Sequence, residues 1–350
     1  MSVIIPRGTL EVLGPINFGQ FYYQKGESDA DSVKIKVKIN SIRFRSNEDT
    51  PWKENLTLFD DAYIGKKKVV TKRNRTITVR LQGIDAPELH YTAQRPRSPE
   101  LTPQQKKKWM NYIFRQKWGA RAVYELERFL KPYVKSGVIE NAYVFSKVDH
   151  PNDVFDKYGR FVGDIVISKD NRDKKNVNQW LVERGWAFPS FYNSMTGQEI
   201  KTLNTKGRKA RTNLKGIWVN HSTKLVSFDP SLRLTRGKNV PRINQVTDKG
   251  SINMPKIFRR QVDYQVRKKA NVTNKQSLSA YIKTQKRDKC YLTKEFLVSL
   301  AKGTKATVRH LSEFIDQNGN IRFQPNELIF QEDTSAVLRD SNGKKVTKWK

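Results

Sequence analysis

The segment Ser32–Phe44, SVKIKVKINSIRF, alternates apolar and cationic side chains along its first half. Val33, Ile35, Val37 and Ile39 occupy every second position, with lysines between them. Alternate side chains of a strand point to opposite faces, so this period of two predicts a half-buried strand with a cationic outer face. The fold must therefore bury one face of a sheet.

Other segments predict the rest of the fold. KKKVV, TITVRLQGI, NAYVFSKV and RFVGDIVI read as further strands, the last following a DKYG turn. The longest helical pattern covers residues 101–133, with Thr102 as a cap, Pro103 in the first turn and Pro132 near the end, although Gly119 argues against one unbroken helix. NVNQWLVERGWA and QEIKTLNTKGRKARTNLKGIW predict two more helices. We therefore predict an α+β fold with an OB-fold-type five-stranded β-barrel and packed helices.

Charge favours a polyanionic partner. The 350 residues contain 67 Lys and Arg against 34 Asp and Glu, a formal net charge of +33. Nucleic acid is the first candidate because phosphate contacts release counterions, and an anionic membrane is the second. A basic, well-solvated surface without a partner is the plainer alternative.

The composition changes after Trp218. Residues 221–350 carry 27 Lys and Arg against 11 Asp and Glu. We place a domain boundary near residues 220–235, between a domain at 1–220, with an insertion at about 45–74, and a basic C-terminal α/β extension at 221–350. The extension has predicted helices at KQSLSAYIKTQ and TKEFLVSLAKG, the second capped by Gly303, and a predicted hairpin turn at Ser341–Gly343.

Neither a secretory signal nor a membrane-spanning run is apparent in the sequence. Cys290 is the single cysteine, so a disulfide within the chain is impossible. These features lead us to expect a cytoplasmic protein.

One stretch combines groups suited to phosphodiester chemistry. VRLQGIDAPELHY, residues 79–91, places Arg80 on a strand just before Asp85 and Glu88. Arginine can grip two phosphate oxygens with its planar fork. Carboxylates can hold a hard divalent ion or orient an attacking water. This stretch therefore predicts a site where a metal, a water molecule and a phosphate meet.

The same stretch resembles the staphylococcal nuclease family. About seventy residues later comes DKYGRFVGDIVI, followed by VNQWLVERGWAF and a basic helix ending in GIW, in the family's order. DADSV, residues 29–33, is similar to the family's Asp-Gly-Asp-Thr strand entry, with Ala30 in place of glycine. The resemblance covers roughly residues 20–220.

The resemblance implies a calcium-dependent nuclease that cleaves DNA or RNA, or both, with limited sequence specificity and leaves 3′-phosphates. It implies that Asp31, Asp85 and the Ala86 carbonyl hold Ca²⁺. It implies that Glu88 orients or activates water and that Arg80 and Arg160 contact the scissile phosphate. Lys157 and Tyr158 would touch a neighbouring phosphate, and Phe191 would stack on a base.

Several alternatives stay open at this point. Asp60 and Asp61 form a rival acidic pair for the second metal ligand. Asp85 could only shape a turn, and Glu88 could only serve a helix entry. Arg80 could be a surface arginine, DKYGR a plain hairpin turn, and Tyr158 and Phe191 core or lip aromatics. A non-catalytic nucleic-acid-binding protein on the same fold is the functional alternative.

Overall fold

The computed structural model describes the following residues: 8–14, 16–18, 29–36, 42–47, 49–52, 63–64, 67–68, 76–93, 102–104, 112–148, 151–156, 158–235, 250–269, 277–285, 288–332, 338–339 and 344. Strands and helices alternate through these residues, so the fold is α+β, in agreement with the predicted class.

The strands are, in chain order, β1 (Gly8–Leu13), β2 (Asn17–Phe18), β3 (Ser32–Lys36), β4 (Ile42–Arg45), β5 (Tyr63–Ile64), β6 (Lys67–Lys68), β7 (Thr76–Leu81), β8 (Ile84–Asp85), β9 (Tyr112–Phe114), β10 (Asn141–Val148), β11 (Phe161–Ser168), β12 (Lys175–Asn176), β13 (Phe188–Pro189), β14 (Phe191–Tyr192), β15 (Arg233–Thr235), β16 (Lys289–Leu292), β17 (Arg309–His310), β18 (Leu328–Phe330) and β19 (Leu338–Arg339).

The helices are α1 (Gly119–Leu130), α2 (Val177–Glu183), α3 (Gly197–Thr212), α4 (Pro255–Lys269), α5 (Leu278–Lys283) and α6 (Thr293–Lys302). Short 3-10 turns occupy Lys131–Tyr133, Pro151–Val154, Gly216–Asn220, Pro230–Leu232, Leu311–Phe314 and Pro325–Glu327.

The largest sheet has the strand order β2-β3-β7-β11-β10-β1-β4. β12 pairs with Val166 and Ile167, near the C-terminal end of β11. Neighbouring strands are antiparallel except β7 and β11, which run parallel with Val79 opposite Phe161. Burial alternates strictly along β10, where Ala142, Val144, Ser146 and Val148 face the core. The alternation predicted from the sequence is found in β3, where Val33 and Ile35 are buried and Lys36 is exposed.

The predicted helix at residues 101–133 is interrupted in the structure. Pro103 and Gln104 are helical, as predicted after the Thr102 cap, whereas residues 105–111 lie outside the described residues. β9 occupies residues 112–114 and pairs with β15, and α1 begins only at Gly119. Trp118 adopts a left-handed conformation with φ of 71°, which no helix can continue through. Ala122, Val123, Leu126 and Leu130 then form the buried stripe of α1 at helical spacing.

The C-terminal segment packs directly on the first part of the chain. A four-stranded sheet has the order β14-β18-β16-β17, and β14 runs parallel to β18 with Phe191 opposite Ile329. Ile329 belongs to the same hydrophobic core as the large sheet. The division into two domains at residue 220 stays a prediction, but the sheet that joins the two segments is continuous.

Other predicted features have mixed outcomes. Gly303 ends α6 with φ of 66°, as the sequence indicated. The hairpin turn at Ser341–Gly343 and most of the insertion at 45–74 lie outside the described residues. The longest helix of the C-terminal segment, α4, was not predicted from the sequence. Among the residues that the structure describes, every helix is too short or too polar to cross a bilayer.

Candidate active site

A tight turn after β7 brings Arg80 and Asp85 to the same end of the sheet. Gly83 takes a φ of +75°, and a Cβ there would overlap the side chains of Leu203 and Met195. Glycine is therefore required both by the backbone conformation and by close packing on α3. The turn reverses the chain so that Asp85 on β8 lies beside the guanidinium of Arg80.

Arg80 joins two buried carboxylates. Its Nη2 lies 3.1 Å from Asp85 Oδ1, and its Nη1 is paired with Asp31 Oδ2. Asp31 Oδ2 also accepts a hydrogen bond of 2.7 Å from the backbone N–H of Ala86. Both aspartates are buried, with relative exposures of 5% for Asp31 and 0% for Asp85. The structure therefore places Asp31 beside Asp85, whereas Asp60 and Asp61 lie outside the described residues.

A second guanidinium reaches the same acids from α4. Arg259 Nη2 donates to Asp85 Oδ2 at 2.9 Å, and Nη1 donates to Asp85 Oδ1 at 3.2 Å. Nη1 is also paired with Glu88 Oε1. Arg259 therefore holds both oxygens of Asp85 and one of Glu88, a role that the sequence analysis did not predict.

The peptide group of Glu88 is fixed by Gln116. The backbone N–H of Gln116 donates to the Glu88 carbonyl at 2.7 Å, and its side-chain Oε1 accepts from the Glu88 N–H at 3.1 Å. Gln116 Nε2 donates to the Asn253 carbonyl at 2.8 Å, just ahead of α4. Glu88 is thus not simply a helix-entry acid, because the residues after it form a turn and a bridge to β9.

Asp29, the first acid of DADSV, holds the chain beyond Glu88. Its Oδ1 accepts from the Leu89 N–H at 2.8 Å and lies 3.2 Å from His90 Nδ1. Burial opposes the charge of both partners, but their attraction outweighs it, which lowers the pKa of Asp29 and raises the pKa of His90 to about 9. Ala30, which replaces the family's glycine, is buried between the two aspartates.

The three central acids differ in how firmly they hold a negative charge. Burial alone would raise the pKa of Asp85, but Arg259 and Arg80 outweigh it and hold the pKa below its usual value. Burial raises the pKa of Glu88 to about 8 and the pKa of Asp31 above its usual range, against the opposing arginine charges. Asp85 is therefore the most firmly ionised group of the cluster.

Asp31, Glu88, Arg80 and Arg259 line a pocket of about 380 Å³, whereas Asp85 is fully buried and bonded to the two arginines. Arg160 lines it as well, with its Nε donating to Asp156 at 2.7 Å. Tyr158 is 63% exposed at the pocket, and the Arg160 guanidinium lies 5.4 Å from the centre of its ring. Lys256 and Tyr192 add a cation and a hydroxyl to the wall. A negatively charged ligand in this pocket would meet cations from both the sheet and α4.

Two predicted substrate contacts have a different outcome. Lys157 lies outside the described residues. Phe191 is completely buried in the main core, where β14 pairs with β18, so its ring has no face free to stack on a base. Its neighbour Tyr192 lines the pocket instead. The period of two explains this, because adjacent strand residues point to opposite sides.

The donor chemistry of the cluster suits a hard divalent cation, because Ca²⁺ prefers carboxylate and carbonyl oxygens. Asp31 and Asp85 supply such oxygens at one end of the sheet. In the described part of the chain, however, no group of three or more His, Cys, Asp or Glu side chains is arranged to hold a metal ion. The carboxylates are bonded to guanidinium groups instead.

The missed residues carry only weak signals in the sequence. Pro255 followed by Phe258, Val262 and Val266 at intervals of four could have indicated α4. Arg259 within that helix looks like any other basic residue. Its role follows from a contact with residues more than 170 positions earlier.

Comparison with known proteins agrees with the resemblance read from the sequence. No curated protein matches the chain. A family model described as staphylococcal nuclease homologue matches residues 78–220, a segment that contains Asp85 and Glu88 but neither Asp31 nor Arg259. Residues 78–220 therefore carry a staphylococcal nuclease homologue domain, as the sequence analysis predicted.

Proposed function

We propose that the protein is a nuclease that hydrolyses phosphodiester bonds of DNA or RNA, or of both, with Ca²⁺ as its cofactor. The observation that carries the proposal is the pocket lined by Asp31, Glu88, Arg80 and Arg160, with the buried Asp85 bonded to Arg80, within or beside the matched segment. Little sequence specificity is expected, because the cations of the pocket suit phosphates rather than base edges. By analogy with the family, the products would carry 3′-phosphates.

The protein side chains divide the chemistry as follows. Attack on phosphorus adds negative charge to oxygens that are already anionic, and fixed cations stabilise that charge. Arg80 and Arg160 would supply these cations, and the bond from Arg160 Nε to Asp156 supports this role by orienting the Arg160 side chain. In its ionised form, Glu88 would orient the attacking water or accept its proton, with its backbone held by Gln116.

A bound calcium ion would supply further positive charge to the phosphate oxygens. Asp31 and Asp85 are the side chains that would hold it, and the Ala86 carbonyl is proposed as a third ligand. In the structure the Ala86 N–H donates a hydrogen bond to Asp31 Oδ2. This bond fixes the loop that carries the Ala86 carbonyl.

We also propose that the large sheet closes into the five-stranded OB-type barrel. β1 and β2 lie within residues 8–18, and β3 and β4 within residues 32–45. β1 pairs with β4 and β2 with β3, so these two segments are paired at both ends. Pairing of residues 8–18 with residues 32–45 would then close the sheet into a barrel, and the candidate active site would lie at one end of it.

The C-terminal segment, residues 221–350, would add electrostatic affinity for nucleic acid as a second domain. Its excess of lysine and arginine is denser than in the first 220 residues. Each neutralised phosphate adds a salt-dependent contribution to binding.

One observation favours a second candidate function, a nucleic-acid-binding protein without catalysis. Arg80 and Arg259 occupy the oxygens that a metal ion would need. If no metal replaced them, the pocket would bind phosphate without cleaving it.

The two functions differ in whether Ca²⁺ and Glu88 are needed for cleavage. We would incubate the purified protein with labelled single-stranded DNA and RNA, in Ca²⁺ and in a chelator, as wild type, Glu88→Gln and Glu140→Gln. Glu140 is an exposed glutamate that does not line the pocket, so Glu140→Gln is the matched control.

The nuclease predicts Ca²⁺-dependent cleavage by wild type and Glu140→Gln, and a loss of at least about 100-fold in Glu88→Gln, within the usual range for a general base. Tight binding without cleavage in every metal tried would establish the non-catalytic candidate instead.

A further inference from the structure

Helix α4 contributes three cations to the lining of the candidate active-site pocket, and one of them, Arg260, is bonded to Asp288. Lys256 and Arg259 lie three residues apart, so they share one face of the helix, and both line the pocket. Burial lowers the pKa of Lys256 to about 8, and its ammonium lies 4.0 Å from the centre of the Phe330 ring. Both residues lie outside the segment matched by the family model.

The backbone of α4 is anchored independently of Arg259. Tyr91 donates to both oxygens of Asp263 at 3.0 Å, and Asp263 is fully buried. Arg260 donates two bonds, of 2.6 and 2.7 Å, to Asp288. Val262 and Val266 pack on Phe114 in a separate apolar cluster.

The start of the helix is anchored as well. Asn253 donates to the carbonyls of Ser222 and Lys224, both at 2.9 Å, and accepts from the Val226 N–H at 2.8 Å. The Asn253 carbonyl accepts from Gln116, which also holds Glu88. The anchored helix therefore holds Arg259 beside the acids. Only the Arg259 side chain has to move for its bonds to Asp85 and Glu88 to break.

The contacts of Arg259 use the lone pairs that a metal would need. Its two terminal nitrogens engage both oxygens of Asp85, and Nη1 is paired with Glu88 as well. Asp85 is fully buried, so few other directions of approach to its oxygens exist. A cation and this guanidinium cannot occupy the same face of Asp85 at once.

We propose that Arg259 is a tethered counter-cation that competes with Ca²⁺ for Asp85, so that the C-terminal segment sets the metal affinity of the nuclease site. This inference rests on the proposed function only in taking Ca²⁺ as the ion. Metal binding then requires the guanidinium to leave Asp85, and the cost of breaking those bonds weakens the measured affinity. The reciprocal holds, because bound metal must weaken the attachment of Arg259 to the same degree.

The test is isothermal titration of the full chain with CaCl₂ in the absence of nucleic acid. We would compare wild type with Arg259→Gln, Arg259→Lys and Lys268→Gln. Lys268 lies on the exposed side of the same helix, so Lys268→Gln removes one positive charge without touching the site. Arg259→Lys keeps the charge but loses the two-pronged contact.

We expect Arg259→Gln to bind Ca²⁺ at least tenfold more tightly than wild type and Arg259→Lys to fall between them. Lys268→Gln should stay within twofold of wild type. Because removal of one partner from a buried ion pair can prevent folding, thermal unfolding is recorded for each variant, and Arg259→Lys carries the test if Arg259→Gln does not fold.

Three results would overturn the inference. The first is equal affinity in wild type and both Arg259 variants. The second is Arg259→Lys equal to wild type while Arg259→Gln is tighter, since charge alone would then explain the change. The third is no Ca²⁺ binding by any variant, since removal of the competitor should uncover the oxygens. Cleavage is measured separately, so a protein that binds Ca²⁺ in the expected pattern but never cuts would contradict only the proposed nuclease function.

Discussion

Gly119 is the point at which α1 touches the backbone of the candidate catalytic base. A Cβ built on Gly119 would lie 2.6 Å from the Glu88 carbonyl oxygen and 3.1 Å from its carbonyl carbon. Side-chain carbons essentially never approach other atoms within 3.0 Å, so Gly119→Ala must push Glu88 and α1 apart by at least about 0.4 Å. The Glu88 carbonyl also accepts the 2.7 Å bond from Gln116, so that bond is strained too.

The size of the effect follows from two opposing contributions. Overpacking against fixed backbone costs about 1–3 kcal/mol. Alanine is favoured over glycine by up to about 1 kcal/mol inside a helix, and by less at the first helical residue, where Gly119 stands. We therefore expect the free energy of unfolding to fall by about 1–2 kcal/mol. Since a displacement of about 1 Å at a reacting group costs about 100-fold in rate, a shift of half that size should reduce cleavage about tenfold.

The assay combines urea unfolding with cleavage of labelled DNA, and Gly137→Ala is the control. Gly137 has a φ of +80° but nothing within 4 Å of a built Cβ, so its alanine costs about 1–2 kcal/mol through backbone strain alone. Both variants should lose similar stability, whereas only Gly119→Ala should lose activity per folded molecule. Full activity and full stability in Gly119→Ala would refute the argument, because the contact with Glu88 would then have no consequence.

Two further predictions test other parts of the site and its supporting structure. Gln116→Leu leaves the Glu88 N–H and the Asn253 carbonyl without their side-chain partner, so urea unfolding should show a free energy of unfolding lower by about 2–3 kcal/mol. A decrease below about 0.5 kcal/mol would show that other groups replace both bonds. Burial raises the pKa of Asp164 to about 7, so the folded state keeps a proton that the unfolded state has lost between about pH 4 and pH 7. The contribution of Asp164 to the free energy of unfolding of the wild type should therefore fall by up to about 4 kcal/mol as pH rises through that window, and then level off. Urea unfolding from pH 4 to pH 8 should show a shallower slope in Asp164→Asn, and an unchanged slope would assign the dependence to other groups.

The parts of the fold that local patterns specify could be predicted from the sequence. The alternation from Val33 predicted a strand and its buried face, residues 141–148 were predicted as a strand, and the order of Arg80, Asp85 and Glu88 indicated the site. The long helical pattern was wrong at residues 112–114, because β9 forms there by pairing with β15, more than a hundred residues later. A strand that depends on a distant partner leaves little trace in its own residues.

Whether a given residue faces the core or the pocket was harder to predict. Phe191 stands in the right stretch, but a shift of one residue along a strand exchanges the core for the pocket, which places Tyr192 at the site. The resemblance could not indicate Arg259, because the family model ends at residue 220. Only the packing of α4 on Phe114 and Tyr91 brings Arg259 to Asp85.

The separation of 174 residues between Asp85 and Arg259 has a consequence for synthesis on the ribosome. At about 5–20 residues per second, roughly 10 to 35 seconds pass between the addition of the acid and that of the arginine. During that time the nascent chain would have to bury Asp85 and Glu88 with Arg80 as their nearest cation, which is costly for unbalanced charges. We therefore expect this end of the sheet to stay open until α4 has left the exit tunnel, so that a newborn chain completes its candidate active site only after α4 has been synthesised.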